Sequence, residues 1–298
     1  MPFVKKTFKV KEPIKAFLYL IREFKLSQGE AQRLVARGRM LINGESMRDS
    51  SKMIFGDIEL VYFEPNARGV KPIFQTSDFM IFDKPSGVLV HPNTMATEYS
   101  MLDDIRAIAG DRANGVHRID METSGLLMAS KNKKAESPLK KLFEDRVIKK
   151  SYLAWVEGKI TESFFVDKSI KIRTDYTTSK DKVEINPQGK QAYTEFEPIE
   201  YNQNLNISLI ECFPHTGRTH QIRVHLFYNG TKILGDPIYG TDFDIADQYL
   251  EGRLSKEDRI KYTGASRLML HAKSLRFRYN NNIYYIESKV DFLQNFVP

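Results

Sequence analysis

Residues 115–132 read GVHRIDMETSGLLMASKN. The second half is a short apolar run, Leu126, Leu127, Met128 and Ala129, bounded by polar and turn-forming residues. That is the pattern of a strand buried on both faces. The first half is a polar knot around Asp120, with His117, Arg118, Thr123 and Ser124 on either side. An acid placed between an arginine and a turn, just ahead of a strand, has two readings. It caps the Thr123–Ser124–Gly125 turn, as Asp commonly does by bonding nearby backbone donors, or it is a catalytic acid.

Outward from this strand, similar runs recur: FMIFDKP, SGVLVHP, SYLAWVEG, QAYTEFEPIE and NISLIECF. RLMLHAKSLRFRYNNNIYYIESKV alternates on both sides of an Asn-rich turn, as a hairpin should. Helical patterns intervene at about 137–146 and 219–228, with Thr219 placed as N-cap of the second. Strands without a regular strand-helix-strand rhythm predict an α+β fold on a mixed, largely antiparallel sheet. Residues 241–266 are strongly polar and charged, which predicts a surface insertion, partly helical.

The chain before residue 66 follows a different pattern. Ile14, Phe17, Leu18 and Ile21 share one helical face over 13–25, with Pro13 suited to the first turn. Ser27 and Glu30 form a capping-box pair, and Gly38 marks a helix stop. Arg33 and Arg37 fall four apart on one face, and Arg39 follows in the exit turn. MLINGE then reads as a strand entering an Asn-Gly hairpin turn, with a further strand over 55–64. The expected division is a first domain over 1–65, a Pro- and Gly-containing linker over 66–72 and a second domain over 73–298.

Charge follows this division. The chain of 298 residues carries a net charge of +7, yet residues 1–70 hold 13 Lys/Arg against 8 Asp/Glu. The remainder is close to neutral. A basic small segment beside a near-neutral larger one points to a polyanion-binding module next to a different activity. With 41% hydrophobic and 28% charged residues, the composition is that of a folded globular protein. No apolar run of about 18 residues exists, so no membrane association is expected. The N-terminal segment has lysines but no apolar core, so it does not read as a signal peptide. The single cysteine, Cys212, leaves no internal disulfide, argues against a thiolate metal site and fits a reducing cytoplasm.

Residues hard to explain by packing concentrate in IFDKPSGVLVHP (81–92), VHRIDMETSG (116–125), KKSYLAW (149–155) and PHTGRTHQIRVHL (214–226), followed by LGDPIYG (234–240) and RLMLHAKSL (267–275). Together these segments resemble the RNA pseudouridine synthases of the family named for RluA, over about residues 72–285. Ile119 replaces the leucine more usual in the family's His-Arg-Leu-Asp, an apolar exchange of similar size. Residues 11–65 resemble the alpha-L RNA-binding module first known from ribosomal protein S-four, the GRMLINGE passage being the most telling part.

The resemblance implies isomerisation of uridine to pseudouridine in RNA without cofactor or metal. It implies Asp120 as the essential catalytic residue and Tyr152 as the uracil-contacting aromatic that assists loss of the carbon-5 proton. It also implies Arg223 as the charge partner of Asp120. Arg118, with His117 beside it, would meet RNA at the gap left by the displaced base. Arg33, Arg37 and Arg39 would meet phosphate. The two-domain layout favours 23S ribosomal RNA as substrate over tRNA, and a monomer is the default expectation.

Elementary chemistry agrees. Cleaving a glycosidic bond builds positive charge on the sugar, so a carboxylate beside the anomeric carbon helps as nucleophile or electrostatic partner. A neighbouring guanidinium keeps that carboxylate ionised and oriented. The target base must leave its stack, and an aromatic wall recovers part of that cost. Arg223 falls in the first turn of a helix, where the dipole disfavours a cation, so it should have a dedicated anionic partner. Three rivals remain. In a metal hydrolase, His215, His220 and His225 would bind metal, but their spacing of five fits neither a helix face nor a strand face. A kinase would place the Asp directly after the Arg of its catalytic loop and carry a Gly-rich loop. A non-catalytic RNA-binding protein would have no need to combine Asp120, Tyr152 and Arg223.

Overall fold

The computed structural model describes residues 2–177 and 179–292. The last six residues of the expected second domain, 293–298, lie outside them. The chain divides into two compact units. One holds the residues up to Arg68 together with Pro92–Tyr99; the other holds Gly69–His91 and the chain from Ser100 onward.

In the first unit, β1 (Phe3–Lys15) leads into α1 (Ala16–Phe24) and α2 (Gln28–Ala36). These precede β2 (Met40–Ile42), β3 (Glu45–Met47) and β4 (Met53–Phe63). The sheet runs β1-β4-β2-β3, with antiparallel pairing throughout. The capping box of α2 forms: the Ser27 hydroxyl accepts from the Glu30 N–H, and Glu30 accepts from the Ser27 N–H at 3.0 Å. Asn43 and Gly44 both take positive φ in the two-residue turn, the conformation that an Asn-Gly pair favours. The helix expected from residue 13 starts later, at Ala16, because Phe3–Lys15 pairs along β4. Pro13 lies where that register breaks, between Val10 and Ile14, a place that tolerates a missing N–H. Ala16, Leu20, Ala31, Val35, Ile54 and Leu60 centre the core of this unit.

The second unit opens with β5 (Phe74–Gln75), β6 (Phe79–Lys84), α3 (Met101–Ala109), β7 (Asn114–Gly115), β8 (Ser124–Ser130) and α4 (Lys133–Glu144). It continues with β9 (Lys149–Glu157), β10 (Phe164–Asp167), β11 (Ile170–Ile172), β12 (Val183–Ile185), β13 (Tyr193–Asn202) and β14 (Ile207–Pro214). It closes with α5 (Gln221–Tyr228), α6 (Phe243–Leu250), α7 (Lys256–Thr263), β15 (Leu270–Tyr279) and β16 (Asn282–Glu287). The main sheet runs β10-β13-β14-β9-β15-β8-β6-β5, with β16 on β15 and β7 on β8. Its pairings are antiparallel except β15 with β8. The fold is therefore α+β on a mixed, largely antiparallel sheet, as the strand pattern predicts. β8 is buried along its whole length, which accounts for its unbroken apolar run.

One expected strand is missing. SGVLVHP forms no strand because its carbonyls are committed elsewhere. Val88 accepts from the Lys84 ammonium at 2.8 Å, while Leu89 and Val90 accept from the N–H groups of Met101 and Leu102 at the start of α3. At the centre of the sheet the register lines up Cys212, Tyr152, Ala272 and Gly125 across β14, β9, β15 and β8. No helix among the described residues is long and apolar enough to cross a membrane.

Candidate active site

Asp120 stands in the turn that feeds β8. The Thr123 N–H donates to the backbone carbonyl of Asp120, at 3.2 Å, so the main chain closes the turn. The carboxylate is left over, and among the described residues it accepts no hydrogen bond. Its Oδ2 lies 3.8 Å from Arg223 Nη1 and 3.8 Å from His220 Nε2. The turn itself is clamped from behind. Lys84, 1% exposed, donates to the carbonyls of Met121 at 2.9 Å and of Pro85 and Val88 at 2.8 Å. The Gly87 N–H also reaches Met121, and the Ser86 hydroxyl reaches the Glu122 carbonyl at 2.6 Å. Gly125 has φ of +100°, and a Cβ there would stand 2.3 Å from the Ala272 oxygen. Only glycine lets β8 meet β15 so closely.

Arg223 lies in the first turn of α5, where it needs an anionic partner. The partner it binds most tightly is Asp236, which sequence reasoning did not assign. Nε and Nη2 of Arg223 donate to the two oxygens of Asp236, each at 2.7 Å. Asp236 Oδ1 also accepts from the N–H groups of Ile238 and Tyr239. The third guanidinium nitrogen, Nη1, is the one that faces Asp120. Arg223 therefore reaches Asp120 from a fixed position, held by a fork-to-fork pair.

The helix start also departs from expectation. His220, not Thr219, is the N-cap residue, in a left-handed conformation with φ of +52°. Among the described residues no side chain caps the helix start; Gln221 instead ties down the preceding turn, its Oε1 accepting from the Thr216 hydroxyl at 2.6 Å and the Arg218 N–H at 3.0 Å. Its Nε2 donates to the Tyr193 carbonyl and the Thr194 hydroxyl. His220 Nδ1 lies 3.0 Å from the Tyr239 hydroxyl, which already accepts from the Val183 N–H. The arrangement that satisfies all three groups puts the Tyr239 proton on the Nδ1 side and a hydrogen on Nε2, facing Asp120.

Tyr152 projects from the middle of β9. Its neighbours in register, Cys212 and Ala272, are small, and its ring is half-buried. Asp120, Tyr152 and Arg223 line one cavity of about 590 Å³, within the range of small-molecule sites. His117 and Arg118 line it too. Arg118 is exposed at the rim. His117 is stacked on Phe143 at 4.1 Å, and its Nε2 accepts the Met128 N–H, which fixes its tautomer. Arg33, Arg37 and Arg39 belong to the first unit. Arg33 and Arg37 are exposed, and Arg39 lies over the Phe3 ring at 4.9 Å. The three evenly spaced histidines go to separate partners: His215 to Glu195, His220 to Tyr239, and His225 to Thr194 and Lys168.

Residues 241–266 do more than cover the surface. Tyr249 of α6 and Arg259 of α7 both donate to the Glu122 carboxylate at 2.8 Å. The same Arg259 nitrogen reaches the Gly235 carbonyl, also at 2.8 Å. One guanidinium thus joins the turn carrying Asp120 to the loop carrying Asp236. Glu122 sat in plain view inside the motif, but the sequence held no signal that the polar insertion would reach it.

Burial pushes the Asp120 carboxyl above its ordinary pKa, and the like charge of Asp236 adds to this; Arg223, Lys182 and Lys84 pull the other way without cancelling it. Burial, followed by the charge of Asp120, raises the Tyr152 phenol and keeps it protonated. Burial, with Arg223 beside it, lowers His220 to about 2 and keeps it neutral. For Arg223, burial acts to lower the pKa, but Asp236 and Asp120 raise it well above the usual guanidinium value. The cavity floor therefore pairs a free carboxylate with a permanent cation, beside an aromatic wall.

The chain is similar to several known proteins. The RNA pseudouridylate synthase family model matches residues 78–227. An uncharacterized RNA pseudouridine synthase of Helicobacter pylori is 39% identical over 301 residues, covering 100% of this chain and 97% of that protein. The ribosomal large subunit pseudouridine synthase C of Haemophilus ducreyi is 33% identical over 209 residues, covering 70% of this chain and 61% of its own length. Among solved structures, human RNA pseudouridylate synthase domain containing 1 superposes with a TM-score of 0.61 at 26% identity, covering 78% of this chain and 88% of that one.

Proposed function

The chain belongs to the RNA pseudouridylate synthase family, and from that premise we propose that it converts specific uridines of large-subunit (23S) ribosomal RNA to pseudouridine, with Asp120 as the essential catalytic residue. The observation that carries this reading is the Asp120 carboxylate. Among the described residues it accepts no hydrogen bond; it faces Arg223 at 3.8 Å and lines a cavity large enough for a nucleotide.

The target uridine leaves its stack and enters the cavity. Asp120 meets the positive charge that develops on the ribose as the C1′–N1 bond breaks. Arg223, pinned by Asp236, keeps that carboxylate ionised and aimed. Uracil turns, carbon-5 bonds to C1′, one proton leaves carbon-5 and N1 takes one up, so that the product is an isomer of the substrate. Tyr152 offers a ring face for stacking and a hydroxyl to help that proton away. Arg118 at the rim fills the gap left in the RNA. Arg33, Arg37 and Arg39 hold phosphate elsewhere on the strand. Ribosomal RNA is favoured over tRNA by the basic first unit and by the likeness to an enzyme named for the large ribosomal subunit.

The test is to map pseudouridines in total RNA with and without the protein, then to repeat the reaction on isolated 23S RNA. Asp120→Asn and Asp120→Ala should abolish the modification and keep RNA binding within about twofold, roughly 0.4 kcal/mol. Turnover by either variant would refute the role of Asp120. A site found only in tRNA would refute the ribosomal target.

A further inference from the structure

The cavity that holds Asp120 has a second chemical pole. Arg146, Lys150 and Arg218 line it. Among the described residues none of the three makes an ion pair. The Lys150 ammonium has one acceptor, the Thr216 carbonyl at 3.4 Å. Arg218 uses only Nε, which donates to the Gln191 carbonyl at 3.0 Å, so both terminal nitrogens are uncommitted. Arg146 is exposed just beyond the end of α4, in a left-handed conformation with φ of +58°.

Several other cations of this unit are paired. Lys140, in the same cavity, pairs with Glu136 at 2.6 Å, Arg223 with Asp236, and Arg259 with Glu122. These three charges, with Arg118 of the same cavity also making no ion pair among the described residues, repel one another unless an anion joins them. Burial and the charge of Arg146 lower Lys150 to about 8, and the same two causes lower Arg218. The cluster is also preorganised. Gln221 fixes Thr216 and Arg218 through its Oε1, and Tyr193 donates its N–H to the Thr216 hydroxyl. Gly217 has no side chain to cover the ammonium; a Cβ there would come within 3.7 Å of Lys150 Nζ. A rigid, open group of donors with a missing anion is the chemistry of a phosphate site.

We propose that Arg146, Lys150 and Arg218 form a subsite for one phosphodiester of the RNA strand, adjacent to the uridine that enters the cavity. This rests on the reading of Asp120's cavity as the uridine site. The subsite fixes the register of the strand, so that one nucleotide and not its neighbour meets Asp120.

The test uses the full chain and a short RNA carrying the mapped uridine. Lys150→Gln and Arg218→Gln should each raise KM for that RNA roughly tenfold, the order set by one charge-assisted hydrogen bond. Each should also make the slope of log affinity against log salt shallower by about one, with kcat at saturating RNA changed much less than KM. RNAs with a single neutral methylphosphonate, moved one linkage at a time, then locate the contact. At one linkage wild type should lose as much affinity as Lys150→Gln loses on ordinary RNA, and Lys150→Gln should lose nothing further. This double comparison stands even if one variant is less stable. If wild type modifies the RNA but every linkage affects wild type and variant alike, the subsite is refuted and the enzyme reading stands. If wild type modifies no RNA, the enzyme reading fails and the subsite falls with it.

Discussion

Two aspartates face one arginine, and they should respond to substitution with opposite signs. Asp236, 1% exposed, is fully committed to Arg223 and to two backbone N–H groups. Asp236→Asn leaves the guanidinium buried without its charge partner, which costs roughly 3–5 kcal/mol. Asp120 is 29% exposed and, among the described residues, accepts no hydrogen bond. Because its pKa is raised in the fold, the native protein holds that proton more tightly than the unfolded chain does. Its contribution to stability is present in acid and lost as pH rises through the raised pKa. Asp120→Asn, neutral at every pH, should therefore melt at a higher temperature than wild type near neutrality, and the advantage should shrink in acid. Melting curves between about pH 4 and about pH 8 check both variants. An Asp120→Asn protein less stable than wild type at neutrality would show that Arg223 outweighs burial. From the sequence, Asp120 stood out as a candidate because its motif is local. Asp236 was not, because a Gly-Asp-Pro turn looks the same whether or not an arginine 13 residues away closes on it.

At the scale of elements, the site depends on pieces far apart in sequence. α7 supplies Arg259, which joins the Glu122 carboxylate to the Gly235 carbonyl and so ties the two loops that flank the Asp120–Arg223 pair. Arg259→Met should lower kcat by roughly tenfold, about 1.4 kcal/mol of positioning, and move KM less. Single-turnover rates against RNA affinity separate the two, and a change in KM alone would mean that α7 serves RNA binding instead. Local patterns predicted most strands and the β15–β16 hairpin. They failed where tertiary pairing overrode them. The 13–25 stripe became strand up to Lys15 because β4 offered a partner, and SGVLVHP lost its ladder to the Lys84 ammonium and to α3. The inward turn of Tyr249 and Arg259 left no periodic trace, since their targets lie outside the segment.

At the scale of the whole molecule, cations appear in two settings. A group in the second unit, including Arg118, Arg146, Lys150 and Arg218, lines a cavity, whereas Arg33 and Arg37 stand exposed on the first unit. Replacing Arg33 and Arg37 by alanine should weaken RNA binding and reduce its salt slope by up to about two, one per lost phosphate contact. Titrations at several salt concentrations check this, and an unchanged slope would remove that face from the interface. The charge asymmetry was legible from composition alone. The return of residues 92–99 to the first unit was not, because nothing local marks an excursion.

The parallel pairing of β15 with β8 bears on the order of synthesis. Asp120, Tyr152 and Arg223 have all been made by residue 223, yet the strand that joins β8 to β9 begins at Leu270. A growing chain thus carries its chemistry for nearly fifty residues before the sheet that aligns it can close. Until then Asp120, Tyr152 and Arg223 are present without the sheet that brings them to one cavity, and a truncation just short of Leu270 would leave the chain in that state.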